Sequence, residues 1–468
     1  MAPPDNPPLT KDKDVMTVAE RSELIIDEAL TVLEKPAMAR LLNKVPCINF
    51  HTGTVIDPVT KEPKDVYQPP VDDKGVIDRN VITAKSIEKV RIDTGDGQGF
   101  RYFTRVNVED NKVKLTPAPE KKNPTVAEAV QRAKDSGFRA SAWLETDEKG
   151  KAISRNKEGK VVKKGKPVLR FAFPGLETAN ELGLATKILL GGKFNPQVHG
   201  APGFIDDTLK KLEKEKEKYG LTQEDIEGIT AHVASASMGT SNGMAAQVCL
   251  LLRGIHCDTM TASEPFSMKL AHDKITDDLK TNGLLTQNIR GFLGENFDQV
   301  KFDQVKKALL DPARDWEHYH AYRTQETAAD GRTVTLSKVA NLPKLDFLGG
   351  WTLSKLAIER NKTLAKENDH GKNETGIDMN GYVNATDNDL INWDPLHLNG
   401  TIMLQLHKEN IEAAKKEREA NKGKDTPKPD RLIIAHKEDL PDGEPTATGL
   451  PKNAGKKAPV PGKSTIKK

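Results

Sequence analysis

Two serines and a glycine, spaced two apart, form the stretch of this chain best suited to chemistry. Ser235, Ser237 and Gly239 give the pattern S-x-S-x-G, which differs by one residue type from the G-x-S-x-G turn that presents a nucleophilic serine. Small residues are needed two positions before and after such a serine, because the turn is sharp and bulky neighbours would clash. The pattern predicts that Ser237 is a nucleophile. A small-residue turn that only caps a helix, through Ser237 or Thr240, would have the same composition.

The flanking residues predict the strand and the helix that would position Ser237. Residues 229–234 form a short apolar, β-branched run typical of a buried strand, and residues 244–252 carry apolar side chains at helical spacing. A helix that begins just after the serine would direct its free N–H groups and the positive end of its dipole at an oxyanion. The backbone N–H of Met238 is the first predicted oxyanion donor.

Strands and helices alternate along this part of the chain. Further elements are predicted in this order: a helix at 124–135, strands at 138–144 and 167–173, a helix at 206–219 and a strand at 259–262. Thr125 and Glu128 form a capping-box pattern at the start of the first helix. The order predicts an α/β fold with a mostly parallel sheet flanked by helices, in which ligands bind at the carboxyl ends of the strands.

Composition divides the chain into four regions. Residues 1–16 are rich in proline and charge, residues 421–468 are rich in lysine, proline and glycine, and both are predicted to be disordered. Residues 17–120 are interpreted as an irregular helical and β-rich extension, and residues 121–420 as the α/β domain. A helical insertion at 266–315 is predicted to lie over the strand ends, where lids usually lie.

Charge and cysteine usage exclude several classes of protein. The 468 residues include 71 basic and 68 acidic side chains, and the resulting net charge of +3 does not favour nucleic acid as a partner. The N-terminus lacks the basic start and apolar segment of a secretory signal, and no run reaches transmembrane length. We expect a cytoplasmic protein, or one exported without a classical signal peptide. Three widely spaced cysteines fit a reducing compartment, and the lysine-rich tail leaves peripheral membrane contact open.

No metal and no cofactor are predicted. His318 and His320 would share one face of a strand, but Glu317 points to the other face and no third ligand is evident. Residues 239–243 lie at a predicted helix N-terminus, yet they lack the lysine and the glycine spacing of a phosphate-binding loop.

Three landmarks within residues 125–265 resemble, in the same order, those of the class 3 lipase-like branch of the α/β-hydrolase family. A strand hairpin closes on a glycine turn at 170–177, a His-x-Gly-Phe-like loop lies at 199–204, and the serine turn follows. The resemblance implies an α/β-hydrolase fold and a serine hydrolase that cleaves a small-molecule or lipid ester. It also implies that the backbone N–H groups of Met238 and of the Gly175-Leu176 turn bind the oxyanion.

A serine hydrolase also needs a histidine base and a carboxylate that orients it, and in this family they follow the serine as acid and then histidine. Asp330 lies where a predicted strand ends in a turn, the place of the family's acid, with Glu326 as the nearby alternative. His397 lies between two leucines just before the last predicted helix, whereas His370, the alternative base, lies in a polar stretch. The predicted triad is Ser237, His397 and Asp330.

Three departures from the family pattern support a second hypothesis. Ser235 replaces the first glycine of the serine turn, Ala236 stands where histidine is usual, and the oxyanion turn reads Pro-Gly-Leu. A hydrolase-fold protein that has lost catalysis and acts as a binding or effector scaffold would tolerate all three.

Overall fold

The computed structural model describes most of the first 310 residues and shorter stretches beyond them. The described residues are 17–33, 48–68, 87–114, 123–156, 160–162, 165–175, 195–236, 238–257, 260–263, 268–310, 318–322, 325–327, 333–335, 374–378 and 399–420. The predictions of disorder for residues 1–16 and 421–468 lie outside them.

Fourteen strands occur in the described residues. They are β1 (Ile48–Ile56), β2 (Pro63–Gln68), β3 (Lys89–Asp93), β4 (Phe100–Asp110), β5 (Arg139–Thr146), β6 (Ser154–Arg155), β7 (Val161–Val162), β8 (Val168–Phe173), β9 (Thr230–Ala236), β10 (Met260–Ser263), β11 (His318–Tyr322), β12 (Gln325–Thr327), β13 (Thr333–Thr335) and β14 (Glu374–Asp378).

Nine α-helices accompany these strands in the same residues. They are α1 (Val18–Leu33), α2 (Val126–Asp135), α3 (Ala201–Lys214), α4 (Gln223–Glu227), α5 (Gly239–Leu252), α6 (Met268–Thr281), α7 (Leu284–Leu293), α8 (Gln299–Leu310) and α9 (Asn399–Ala420). A 3₁₀ turn, Pro196–Gly200, precedes α3. The capping box predicted at Thr125 and Glu128 is confirmed at the start of α2.

Ten of the strands form one mixed sheet in the order β14-β11-β10-β9-β8-β5-β4-β3-β1-β2. The pairings from β8 through β9, β10 and β11 to β14 are parallel. The pairings from β8 through β5, β4, β3 and β1 to β2 are antiparallel. The fold is therefore α/β-like, as predicted, but the expectation of a mostly parallel sheet is wrong.

Short connections explain much of the antiparallel half. Only residues 57–62 join β1 to β2, and only residues 94–99 join β3 to β4, whereas a parallel crossover needs about a dozen residues or more. Gly95, Gly97 and Gly99 adopt φ angles of 74°, 78° and 96° in the second connection, a region that other residues rarely enter. The β-rich N-terminal region therefore continues the sheet that carries β9.

Alternate residues of the central strands face two different helical layers, since side chains alternate across a strand. On β9, Val233 and Ser235 face α5, whereas His232 contacts Asp27 of α1. The layer that contains α5 also includes α2, α3, α6, α7 and α8, and the opposite layer consists of α1 packed against α9.

The α5 layer encloses the larger apolar core. Thirteen of the fourteen residues of α5 are buried, so this helix is central rather than amphipathic. Four phenylalanines from β8, α3 and the residue before β5 contact one another in this core: Phe138, Phe171, Phe173 and Phe204. The strand-helix unit predicted around Ser237 thus lies in the best-packed part of the fold.

The helical insertion predicted at 266–315 forms α6, α7 and α8 and belongs to this core. Ile275 and Leu279 of α6, Ile289 of α7 and Phe302 of α8 are buried in the same apolar cluster as α5. Opening these helices as a lid would expose that apolar surface to water, which is unfavourable. None of the helices in the described residues is long and apolar enough to cross a membrane.

The opposite face of the sheet carries a buried chain of charges beneath α1. Arg170 of β8 pairs with Asp27 at 3.1 Å and with Glu23, and Arg101 of β4 pairs with Glu23 and with Glu145, each at 2.6 Å. Asp27 also lies 2.6 Å from Nε2 of His232. These pairs fix the register of α1 over the sheet, beside an apolar cluster that includes Leu24, Ile25 and Leu30.

The arginines control the ionisation of the acids in this chain. Burial by itself would raise the pKa of Glu23, but the charges of Arg170 and Arg101 outweigh it and hold that pKa well below its usual range. Burial opposes ionisation of Glu145 in the same way, and Arg101 and Arg155 lower its pKa in spite of it. Both carboxylates are therefore ionised at neutral pH.

Candidate active site

The strand and the helix predicted on either side of Ser237 are confirmed. β9 ends at Ala236 and α5 begins at Gly239. Met238 is the N-cap residue of α5, with helical dihedral angles of −61° and −24°, and it is 4 % exposed. Ser237 itself lies outside the described residues. The helix begins five residues earlier than its apolar spacing predicted, so only two residues separate it from the strand.

Gly239 packs directly on the turn that follows β8. A Cβ atom at this position would lie 2.5 Å from the Pro174 carbonyl oxygen and 2.9 Å from the Phe173 carbonyl carbon, and it would overlap the Phe173 carbonyl oxygen as well. Backbone atoms cannot move aside as a flexible side chain can, so only glycine fits at position 239. The start of α5 therefore touches the Pro174-Gly175 segment, the turn that the sequence assigned to the second oxyanion donor.

A glycine on α5 compensates for Ser235, the first departure from the G-x-S-x-G pattern. A Cβ atom on Gly243 would lie 3.1 Å from Cβ of Ser235, 3.3 Å from its Oγ and 3.2 Å from Cγ1 of Val233. Ser235 is 2 % exposed and occupies the space that a side chain at position 243 would need. Strand and helix approach closely because the glycine lies on the helix instead of on the strand. Ser235 is therefore compatible with a tight connection between β9 and α5, which we call the elbow.

A buried amide holds the residue that follows Ser237. Nδ2 of Asn195 donates a hydrogen bond to the Met238 carbonyl oxygen at 3.2 Å. Oδ1 of the same side chain accepts from the backbone N–H of Gln197 at 3.1 Å, and Asn195 is 3 % exposed. The sequence analysis missed Asn195. Its position before Pro196 is typical of a helix cap, but no local pattern predicts a bond to a residue 43 positions away.

Gln197 extends this contact to the neighbouring helices. Its Nε2 donates to the carbonyl of Ser136, the C-cap residue of α2, at 2.7 Å. Its Oε1 accepts from Nδ2 of Asn242, in the first turn of α5, at 3.3 Å. The side chains of Asn195, Gln197 and Asn242 form what we call the amide brace, which ties the start of α5 to the end of α2.

His199, from the His-x-Gly-Phe-like loop, lies in the 3₁₀ turn beside the brace and is 6 % exposed. Burial lowers the pKa of its imidazole to about 4, with Asp278 opposing and Arg132 adding to the shift. Its backbone carbonyl accepts from Nδ2 of Asn288 at 2.9 Å. At neutral pH His199 is therefore uncharged, and it links α7 to the loop through its main chain.

Most of the predicted catalytic side chains lie outside the described residues: Ser237, Leu176, Asp330, His370 and His397. Met238, Gly175, which is buried, and the backbone of Glu326, the alternative acid, lie within them. The triad therefore stays a prediction, and so do its alternatives.

The chain positions of the predicted acid and bases are nevertheless defined by their neighbours. β11 confirms the predicted strand at 318–323 and pairs in parallel with β10. Asp330 falls between β12 and β13, which pair as a separate two-stranded sheet, and not directly after β11. Its alternative, Glu326, lies in β12.

The two candidate bases fall on opposite sides of β14 in the chain. His370 precedes β14 by four residues, and His397 lies between β14 and α9. β14 itself pairs in parallel with β11.

Metal ligands do not cluster in the part of the chain that the structure describes, since no group of three or more His, Cys, Asp or Glu side chains there could hold an ion. Cys249 and Cys257 are buried, and burial raises the pKa of Cys249 to about 12. The Cys249 thiol is therefore not available as a nucleophile at neutral pH.

The start of α5 lies at the carboxyl edge of the parallel strands, in contact with the turn that follows β8. The N–H groups in the first turn of a helix have no intrahelical acceptors, and such groups can stabilise negative charge. No protein-family model, no curated protein and no solved structure matches this chain, and what the site can do follows from its own residues.

Proposed function

We propose that this protein is a serine hydrolase that cleaves a carboxylic ester, with a lipid or another acyl ester as its substrate, and that its chain is a divergent α/β-hydrolase of the class 3 lipase-like kind. Ser237 is the nucleophile, His397 the base and Asp330 the residue that orients the base. The N–H groups of Met238 and of the Gly175-Leu176 turn bind the oxyanion.

One observation carries the proposal: Gly239 lies in contact with the carbonyl groups of Phe173 and Pro174. Met238 precedes this glycine and Gly175 follows this proline, so the two segments proposed as oxyanion donors meet at one point. That point is at the carboxyl edge of β8 and β9, which pair in parallel. Donors fixed in this way before the reaction can lower the barrier by about 3 kcal/mol each.

Sheet topology supports His397 over His370 as the base. The carboxyl ends of parallel strands lie at one edge of a sheet, and β9, β10, β11 and β14 are parallel. Residues that follow β14 leave from the edge at which Ser237 follows β9, whereas residues that precede it arrive from the other edge. His397 follows β14 and His370 precedes it. Asp330 likewise follows β11, though β12 intervenes.

The reaction runs in two steps through a covalent acyl-enzyme. Oγ of Ser237 attacks the ester carbonyl carbon while the imidazole of His397 takes the serine proton, and the oxyanion forms against the backbone N–H groups. Collapse of this intermediate breaks the bond to the alcohol, which leaves with the proton from His397. Water then attacks the acyl-serine with the same base, releasing the carboxylic acid and restoring the serine.

Hydrolysis of p-nitrophenyl acyl esters of graded chain length by the full chain tests the proposal. We expect turnover by the wild type and loss of about a thousandfold or more for Ser237→Ala, the loss typical of a triad residue. Ser241→Ala is the matched control, because Ser241 is a buried serine in the first turn of α5 with no proposed role, and it should retain activity. A wild type without turnover, or equal rates for Ser237→Ala and the wild type, would favour the binding scaffold.

The choice of base is tested in the same assay. His397→Ala should abolish turnover, whereas His370→Ala should leave kcat within about twofold of the wild type. The reverse result would reassign the base to His370 while leaving the nucleophile unchanged.

A further inference from the structure

We propose that Asn195 is a positioning residue. By holding the carbonyl group of Met238 it fixes the backbone of that residue, so that the N–H of Met238 faces the oxyanion. The inference rests on the proposed function and adds a residue that the sequence pattern does not contain. Asn195 does not touch the reacting atoms. It acts through the backbone of Met238, the residue directly after the nucleophile.

The orientation of the Asn195 amide is fixed by its own partners. The backbone N–H of Gln197 can only donate, so the atom that it contacts at 3.1 Å must be the oxygen, Oδ1. The NH₂ group is then the half of the amide that faces the Met238 carbonyl, at 3.2 Å. Asn195 is 3 % exposed, so bulk water competes little for the bond between its NH₂ group and Met238.

The Met238 carbonyl is well placed to control the turn. As the N-cap residue of α5, Met238 directs its carbonyl along the helix, where such a carbonyl accepts the first intrahelical hydrogen bond. Asn195 uses the second lone pair from outside the helix. Fixing this carbonyl restricts rotation about the bonds of Met238, and the same bonds set the direction of its N–H.

The rest of the amide brace makes Asn195 a rigid support. Gln197, whose N–H holds the Asn195 amide, is itself bonded to Ser136 at the end of α2 and to Asn242 of α5. Pro196 lies between Asn195 and Gln197 at the start of the 3₁₀ turn, and proline limits the backbone freedom of this segment. None of these bonds involves Ser237, so the support exists before substrate binds.

Asn195→Asp separates positioning from folding. The carboxylate keeps an oxygen that can accept from the Gln197 N–H, and so it keeps the cap, but it has no hydrogen to donate to Met238. We expect kcat on p-nitrophenyl esters, and the rate of labelling by a fluorophosphonate probe, to fall on the order of tenfold to a hundredfold. KM should stay within about twofold, because a misdirected oxyanion donor weakens the transition state more than the ground state.

Asn288→Asp is the matched control. It makes the same amide-to-acid change at another buried side chain, which is 2 % exposed, and it removes the donor to the His199 carbonyl, but it leaves the amide brace and the Asn195 contact to Met238 in place. We expect a similar fall in melting temperature and a kcat within about threefold of the wild type.

The pH profile adds a readout that a structural role would not change. When the carboxyl group of Asn195→Asp is protonated it regains a hydrogen for Met238, so the ratio of mutant to wild-type labelling rate should rise as the pH falls. If the aspartate variant does not fold, Asn195→Ser replaces it, since serine can still cap the turn but is too short to reach Met238.

The outcomes distinguish this inference from the proposed function. Wild-type turnover together with equal kcat for Asn195→Asp and Asn288→Asp would overturn the role of Asn195 and leave the hydrolase intact. A wild type that neither turns over nor labels would overturn the hydrolase, and the positioning role with it. A selective fall in kcat for the Asn195 variants supports both.

Discussion

The two faces of the central sheet are stabilised by different kinds of interaction. The face toward α5 is held by shape: phenylalanines fill it, and glycines at 239 and 243 let backbones approach where a side chain would not fit. The face toward α1 combines an apolar cluster, which includes Leu24 and Leu30, with a buried chain of charges formed by Arg170, Arg101 and the acids that they pair with.

This difference indicates what each face is suited to do. Close packing fixes backbone positions within a fraction of an ångström, as an oxyanion site requires. Buried ion pairs contribute little net stability over apolar packing, but they penalise any register that leaves a charge unpaired. We infer that the α5 face sets the geometry of the site, whereas the α1 face selects one way of docking the N-terminal helix.

The largest expected effect on stability comes from Arg170→Met, which removes the cation between Glu23 and Asp27. Breaking a buried pair by removing one partner typically costs about 3–5 kcal/mol, because the remaining charge stays desolvated. Denaturant unfolding at neutral pH measures this loss.

Lys210→Met is the control for Arg170→Met. Lys210 pairs with Asp206 at 2.6 Å but is 73 % exposed, and losing such a pair should leave the free energy of unfolding close to that of the wild type. Similar losses of unfolding free energy for the two variants would contradict a structural role for the buried charges on the α1 face.

Gly239→Ala should combine a loss of stability with a loss of turnover. The new methyl group would meet the backbone carbonyls of Phe173 and Pro174, and overpacking of this kind costs about 1–3 kcal/mol. Displacing the elbow should reduce kcat by about a hundredfold. Calorimetry and ester hydrolysis measure the two effects.

Gly291→Ala is the matched control for Gly239→Ala, because Gly291 lies within α7 and a Cβ atom there meets nothing within 4 Å. It should stabilise the protein by up to about 1 kcal/mol, since alanine favours a helix over glycine. A harmless Gly239→Ala would refute close packing at the elbow.

The two faces should also differ in the pH at which they lose stability. Burial lowers the pKa of His199 to about 4 in the folded protein, below the value of about 6.5 in an unfolded chain. The unfolded state therefore binds more protons between these values. The contribution of His199 is fully present above pH 6.5 and is lost as the pH falls toward 4, by at most about 3 kcal/mol.

On the α1 face the free energy of unfolding should begin to fall only at lower pH. The pKa of Glu145 is lowered in the folded state, so its contribution persists until the pH falls below about 4.3, the usual value for an unfolded glutamate. We expect this from unfolding free energies measured between pH 7 and pH 3.5. The His199→Gln variant should lose less stability than the wild type as the pH falls from 6.5 toward 4, and the Glu145→Gln variant should lose less than the wild type below about pH 4.3. An unchanged slope between pH 6.5 and 4.5 in His199→Gln would contradict this assignment.

The smallest expected effect concerns Ser235 and Gly243, because the glycine that leaves room between strand and helix lies at position 243 instead of position 235. Gly243→Ala should be less destabilising in a Ser235→Gly background, because the new methyl group would lie 3.1 Å from Cβ of Ser235 in the natural protein. A double-mutant cycle in denaturant should give a coupling of about 1 kcal/mol. Additivity within about 0.3 kcal/mol would show that the helix does not compensate for Ser235.

Sequence patterns predicted the α5 face well because its signals are local. Small residues at fixed spacing located the turn between β9 and α5, and the capping box at Thr125 located α2. Local patterns do not specify which strands pair, and for that reason the strands of the N-terminal region were not predicted to join the sheet that carries β9.

The α1 face and the amide brace could not have been predicted in this way. Asp27 and Arg170 are 143 positions apart, and each alone resembles an ordinary surface charge. Asn195 looks like a helix cap, which it is, and its second bond depends on the three-dimensional position of Met238. Interactions between distant residues follow from the fold and not from any local pattern.

Mass-spectrometric mapping of a fluorophosphonate adduct on the full chain tests the central claim most directly. We predict one adduct, on Ser237, that is absent when the chain is unfolded before labelling, because only the folded elbow activates the serine. A folded chain that stays unmodified, or an adduct on any other residue, would contradict the account.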